Sequence, residues 1–186
     1  MNTTSTLWYN SPAKAWTQSL PIGNGTLGAM VFGSPAHERL ALNHDELWTG
    51  RPKDTVREGA PEVFDKARSL ALEGKLYEAE ELIEQDFLSV WSQAYMPLGD
   101  LELEFSLKGR VKDYRRRLDL EKAVAAVEIT CGQKKYKREY FASYPAKAIG
   151  AKLTCEGGTM DFSVSLTSKL RSNNSIDGGI LYIDGE

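Results

Sequence analysis

The chain has 186 residues, 41% of them hydrophobic and 26% charged, and its 23 basic and 26 acidic side chains leave a formal charge of −3. That is an ordinary composition for a globular domain with a sizeable core, and the negative balance gives no general attraction to nucleic acid or to an anionic membrane. No apolar run approaches membrane-spanning length and no basic-then-apolar export signal opens the chain, so the sequence as written reads as cytoplasmic, while the compartment of a longer parent stays open to a lost leader.

Met1 to Thr6 is polar and reads as a frayed end. Leu7-Trp8-Tyr9 follows as a short aromatic strand, and Ser11-Pro12-Ala13-Lys14 as a turn. The stretch Leu20 to Gly50 organises the rest. It opens on Pro21-Ile22-Gly23-Asn24-Gly25, a tight turn whose glycines suit positive φ or close backbone approach. In Leu27–Phe32 both alternate sets are apolar, which predicts a strand buried on both faces. Glu38–Leu42 reads as the next strand, closed by the loop Asn43–Trp48.

A helical texture then interrupts the strands over about residues 59–90. Val63, Phe64, Ala67, Leu70 and Ala71 recur at helical spacing, Pro61 suits the first turn, and Gly74 suits the C-terminal end. A second helix from Leu76 to about Phe87 carries Leu76, Ala79, Ile83 and Phe87 on one face.

From Leu98 the period becomes two. Leu101, Leu103 and Phe105 alternate with Glu102, Glu104 and Ser106. The sets Tyr114-Arg116-Leu118-Leu120 and Ala123-Ala125-Val127-Ile129 follow in the same pattern. Gly132-Gln133 turns the chain into Tyr136–Phe141. Ile149, Ala151, Leu153 and Cys155 alternate next, and Gly157-Gly158 leads to Met160, Phe162, Val164 and Leu166. Ser172-Asn173-Asn174 reads as a loop and Ile180–Ile183 as a last strand. Its partner is expected beyond Gly185, so the end reads as a cut in a longer protein. The fold class is mainly β, an antiparallel β-sandwich (a supersandwich) of roughly ten short strands with a two-helix insertion.

The chemistry-bearing residues are sparse. Cys131 and Cys155 sit at strand ends and read as small buried apolar residues, and His37 and His44, seven apart on a strand, do not make a metal site. Asp45-Glu46 beside Trp48 suggests a glycosidase pair, but neighbours on a strand point to opposite faces and cannot flank one bond; a carboxylate in a turn is the better reading. No G-x-S-x-G elbow is present. Gly23 to Gly28 fits G-x-G-x-x-G in letters, yet it precedes a strand instead of opening a helix. The basic runs Arg115-Arg116-Arg117 and Lys134-Lys135-Tyr136-Lys137-Arg138 read as a solvated sheet face, given Asp113 and Glu139 beside them. The triplets at Asn2, Asn24 and Asn173 match glycosylation acceptors, a weak signal without a secretion signal. Trp8, Trp16 and Trp91 are the rings a sugar-binding face would use, but their apolar neighbours place them in the core. Residues alone therefore give a β-sandwich without a visible active site.

Five ordered blocks carry more: LPIGNGTLGAMVFG (20–33), ERLALNHDELWTGRPKD (38–54), YMPLGDLELEF (95–105), YRRRLDLEKAVAAVE (114–128) and YKREYFASYPAKAI (136–149). Together they resemble the N-terminal domain of glycoside hydrolase family 95, the α-L-fucosidases, over nearly all of the chain from Leu7 to about Ser168. The resemblance implies that residues 1–186 are a β-supersandwich domain preceding a helical linker and an (α/α)6 catalytic barrel that this chain does not contain. It implies a parent enzyme that hydrolyses α-L-fucosides, and in some members α-L-galactosides, with inversion. The general-acid glutamate and the asparagine–aspartate relay that activates water lie in the barrel, so no catalytic residue is expected in this chain, which alone is expected to be inactive. His44 stands where the family pattern has glutamate or a similar residue, Thr49 where it has serine, and Thr26 where arginine is frequent.

The polar turns and tryptophan of the organising stretch make Asn24, Asn43, His44 and Trp48 candidates for the barrel interface or a substrate-pocket wall, with internal packing as the alternative. The expected partners are the parent's own C-terminal barrel and a fucosylated oligosaccharide. No nucleic acid, membrane, metal or cofactor is expected. The competing function is a stand-alone carbohydrate-binding or interaction module on the same sandwich.

Overall fold

The structure, a computed structural model, describes residues 5–51, 53–89 and 93–185. The chain divides into two compact units. One is built from the residues up to Leu47 and those from Met96 onward, and the other is Trp48–Tyr95.

The first unit is a β-sandwich. Its strands are β1 (Thr6–Tyr9), β2 (Leu20–Gly23), β3 (Leu27–Val31), β4 (His37–His44), β5 (Gly99–Phe105), β6 (Val111–Asp119), β7 (Val124–Cys131), β8 (Lys134–Ser143), β9 (Ala148–Glu156), β10 (Phe162–Thr167), β11 (Ser172–Asp177) and β12 (Ile180–Gly185). One five-stranded sheet runs β1-β6-β7-β8-β9, a second runs β10-β5-β4-β3-β2, and β11 and β12 form a separate hairpin. All described pairings are antiparallel.

Period-two alternation makes the core. Leu20, Val31 and Leu40 stand opposite one another across β2, β3 and β4, and face Leu118, Ala125, Val127 and Tyr140 of the other sheet. Leu40 and Val127 are fully buried, each worth about 1.5–3 kcal/mol relative to exposure. Cys131 belongs to this core, whereas Cys155 is half-buried at its margin; both are free thiols. β4 and β5 are hydrogen-bonded neighbours, Leu42 opposite Gly99, so the second unit is inserted into the connection between paired strands.

Several sequence expectations change here. Pro21 and Ile22 lie in strand β2, and the turn is confined to Asn24-Gly25-Thr26; Gly25 takes φ +96°, while Gly23 packs against the Leu27 carbonyl. In β3 only Ala29 and Val31 are buried, with Gly28 and Met30 half-exposed, so one face carries most of the burial. Ala123, with φ +53°, lies in the β6–β7 turn, and Leu120 there is exposed. Ser172-Asn173-Asn174 is strand, not loop: Asp177 pairs with Ile180 across Gly178-Gly179, both at positive φ as a two-residue hairpin turn requires. The partner of β12 is thus upstream, and the pairing argument for a segment beyond Gly185 falls. Phe162 and Val164 of β10 are exposed because β10 is the edge of its sheet; Phe162 rests on Phe105 with ring centroids 5.5 Å apart.

The second unit holds α1 (Ala60–Leu72) and α2 (Leu76–Leu82), the latter continuing as a π-helical turn over Ile83–Phe87. Gly59 at φ +78° and Pro61 in the first turn start α1, and Gly74 at φ +79° separates the helices. Ala60 and Ala67 of α1 and Ala79 of α2 are buried, and Phe64 meets Phe87 at 5.9 Å. Leu76, expected on the packed face, is instead exposed at the start of α2. Among the described residues no helix is long and apolar enough to cross a membrane.

Candidate functional site

Of the four site candidates, three belong to the sandwich. Leu27 is opposite His44 and Gly28 opposite Asn43, which brings the Asn24 turn and the end of β4 to the same end of the sheet. The Asp45 amide donates to the Thr26 carbonyl at 3.1 Å and fixes that arrangement. Asn24 bonds through both side-chain amide atoms. Its Oδ1 accepts from the Thr26 and Leu27 amides at 3.1 and 2.8 Å, and its Nδ2 donates to the Ser143 carbonyl at 2.9 Å, tying the hairpin to the far end of β8. Asn43 lies half-buried in the row of Ala41 and Arg39, and His44 in the alternate row with Leu42 and Leu40. The His44 Nδ1 accepts from the Glu46 amide at 3.2 Å and lies 3.4 Å from Asp45 Oδ1. Asp45 and Glu46 are both exposed in the turn after the strand. His37 and His44 occupy opposite ends of β4.

The fourth, Trp48, belongs to the helical unit. It bridges to Tyr95, with ring centroids 4.9 Å apart in an edge-on arrangement, and the Thr49 amide donates to the Ala94 carbonyl at 2.9 Å. These contacts close the neck of the insertion. Trp48 remains half exposed, so packing within its own unit does not consume the ring.

One buried titratable group is among those the sequence reading passed over. Glu38 starts the inward row of β4 and is fully buried. Its Oε1 accepts from the Gly33 and Arg39 amides at 2.6 and 3.2 Å. Its Oε2 accepts from the Tyr140 hydroxyl at 3.3 Å and lies 3.5 Å from the Arg138 guanidinium. Burial pushes the Glu38 carboxyl above its ordinary value, outweighing Arg138 and the backbone donors that favour the anion. Burial and the neighbouring carboxylate raise the Tyr140 phenol as well, so it stays a donor. The void against Arg138, lined by Pro35, Phe105 and Met160, is only about 160 Å³ in total. An acid, a base and a cation meet here without room for a substrate. The arrangement is a clamp holding Phe32 to Ala36, since Arg138 also donates to the Ser34 and Pro35 carbonyls at 2.8 and 3.4 Å and stands 4.8 Å over the Phe105 ring.

Arg116 makes a second clamp. Its Nε and one terminal nitrogen donate to the Ser11 and Gln18 carbonyls at 2.7 Å each, and its guanidinium covers the Tyr9 ring at 4.2 Å. The basic runs are therefore not wholly a solvated face: Arg116 and Arg138 are each only 2% exposed, while Arg115 and Lys135 point outward. The signal was available, because Arg116 alternates with Tyr114 and Leu118, and Arg138 with Tyr136 and Tyr140, all in the inward row.

The tryptophans also depart from expectation. Trp8 and Trp16 are each 59% exposed, not core; Trp91 lies outside the described residues, as does Asn2. Trp8 is on β1, the edge of its sheet, and Trp16 is in a 3-10 turn whose buried partner is Ser19.

The chain is 39% identical over 173 residues to "Alpha-L-fucosidase 2" of Arabidopsis thaliana, covering 90% of this chain and 20% of that protein. It is 32% identical over 161 residues to "Probable alpha-fucosidase A" of Aspergillus oryzae, covering 81% and 22%. With the Aspergillus niger protein of the same name it shares 28% over 190 residues, covering 97% and 24%. The chain spans between 20 and 24% of the length of these relatives. A family model matches residues 7–186, and with that match the chain belongs to the family described as glycosyl hydrolase family 65, N-terminal domain.

Proposed function

We propose that residues 1–186 are the accessory N-terminal β-sandwich domain of an inverting exo-glycosidase of the family 95 type, one that hydrolyses α-L-fucosides, and α-L-galactosides as a second class, of oligosaccharides. The observation that carries this is the match of most of the chain to about a fifth of each of several proteins named as α-fucosidases. In this reading the catalytic barrel lies outside residues 1–186, the helical insertion spans about 59–90, and the chain alone has no hydrolytic activity. The full burial of Glu38 is in keeping with the last point, because a carboxyl sealed from substrate cannot act as a general acid.

Asn24, Asn43, His44 and Trp48 are proposed as surfaces for the barrel or the substrate. In the longer protein, Trp48→Ala weakens domain docking or raises KM; unchanged melting and kinetics would remove this assignment. The function itself is tested by assaying 2′-fucosyllactose hydrolysis, with the product anomer followed by proton NMR, for residues 1–186 and for the protein translated from the full native reading frame. Inverted fucose from the longer protein alone supports the proposal. Hydrolysis by residues 1–186, or no fucoside cleavage by a folded longer protein, refutes it. A stand-alone carbohydrate-binding module is the second reading, favoured by the exposure of Trp8 and Trp16.

A further inference from the structure

The outer face of the β1-β6-β7-β8-β9 sheet carries a groove of about 480 Å³, within the size range of small-molecule sites. Its geometry follows from strand register. Trp8, Arg117, Ala126, Glu139 and Lys152 form one continuous cross-strand row. Arg115 and Lys137 line the groove from one neighbouring row, and Thr6, Asp119 and Val124 from the other. All stand on the side opposite the core residues Leu118, Ala125 and Tyr140. At the centre of the row, on β7, only small side chains are present. Val124 and Ala126 make a floor between the Trp8 side and the Lys137–Glu139 side.

The lining is chemically particular. Trp8 is a large ring left 59% exposed, with the Arg115 guanidinium 5.2 Å from its centre. Around it stand the cations Arg115, Arg117, Lys122 and Lys137 and the carboxylates Asp119, Glu121 and Glu139. Two cations are matched locally, Arg117 to Glu128 at 2.8 Å and Lys137 to Glu139 at 2.7 Å. Such a surface offers hydrogen-bond donors and acceptors at close spacing without a strong net field. A polyanion meets repelling carboxylates, and a purely apolar ligand strands the charges. A neutral polyhydroxylated ligand satisfies both, its hydroxyls bonding to the paired charges and its apolar ring face covering the tryptophan.

We propose that this groove is a binding site for a neutral oligosaccharide, with Trp8 as the stacking platform and Arg115, Lys137 and Glu139 as hydrogen-bonding partners. Only the choice of a sugar among neutral polyols rests on the glycosidase reading above. Titration of the 186-residue chain by calorimetry and by amide and indole NMR, with 2′-fucosyllactose, lactose and cellohexaose as probes and a heparin hexasaccharide as anionic control, tests it. At least one neutral probe is expected to saturate, shifting the Trp8 indole N–H and the amides of β6 to β8. Trp8→Ala weakens that binding by about tenfold or more, whereas Trp16→Ala changes it by less than about twofold. If Trp8→Ala melts early, Lys137→Gln with the wild-type shift map replaces it. Lack of saturation by all three neutral probes, tighter binding of heparin, or shifts confined to other faces overturns the site. Sugar binding at Trp8 together with no fucosidase activity in the longer protein would refute the proposed function alone. Hydrolysis without binding in the groove would refute this inference alone.

Discussion

Replacing Gly33 by alanine tests the clamp at its tightest point. Gly33 sits at φ +77°, where a β-carbon costs about 1–2 kcal/mol. That carbon would stand 2.8 Å from the Tyr114 hydroxyl, 3.0 Å from Arg116 Cδ and 3.4 Å from Val127 Cγ2, all part of a packed interior. Overpacking of that kind costs a further 1–3 kcal/mol or so, and it pulls on the Gly33 amide bond to Glu38 and the 2.7 Å bond from Tyr114 to the Gly33 carbonyl. The expected loss is about 2–5 kcal/mol, a large part of a typical domain's stability. Gly25→Ala is the internal control. Its φ is +96°, but nothing lies within 4 Å of the added carbon, so it carries the backbone cost alone. In urea unfolding followed by tryptophan fluorescence, with a slope of about 2 kcal/mol/M, Gly33→Ala lowers the midpoint by roughly 1–2.5 M and Gly25→Ala by roughly 0.5–1 M. Equal midpoints for the two variants would refute the crowding argument and leave only backbone strain.

Three further outcomes follow from the same contacts. Arg116→Met keeps the packed stem but strips the donors from the Ser11 and Gln18 carbonyls, so it destabilises by about 2–4 kcal/mol; Arg115→Met, on the exposed side, stays within about 0.5 kcal/mol in the same denaturant series. Because the folded-state pKa of Glu38 is raised, the stability this group contributes is present below the ordinary value of 4.5 and is lost as pH rises through the folded value. Wild type minus Glu38→Gln stability, measured by denaturation at several pH values, therefore falls with increasing pH above 4.5, and a rising difference contradicts the burial argument. Asn24→Ala removes three hydrogen bonds and costs about 1–3 kcal/mol in thermal melts. Asn24→Asp keeps the two acceptor bonds but sets a carboxylate oxygen against the Ser143 carbonyl in place of the donor, so its melting point also falls below that of wild type.

Strand positions were legible because alternation is local. Leu101, Leu103 and Phe105 declare β5 regardless of what packs on them, and Pro61 and Gly74 mark the helices through backbone geometry alone. β11 escaped because Asn173 and Asn174 have poor strand propensity, and cross-strand pairing to β12 overrides that preference. The available clue was Gly178-Gly179, a two-glycine turn that implies a strand on each side. Asn24 was recognisable as a special turn residue, but its bond to Ser143, 119 positions away, was not.

By itself, then, the sequence determined the alternation that sorts side chains into two faces, the turns that join them, and the ordered blocks that mark the family. Tertiary structure alone decided what each face meets. Arg116 and Arg138 lie inward because carbonyls from Ser11, Gln18 and Ser34, far off in the chain, supply the acceptors that make a buried guanidinium tolerable. Trp8 lies outward because its register opposite Arg117 sets it on the face away from the core, and a residue's neighbours in sequence carry no information about which sheet face remains uncovered.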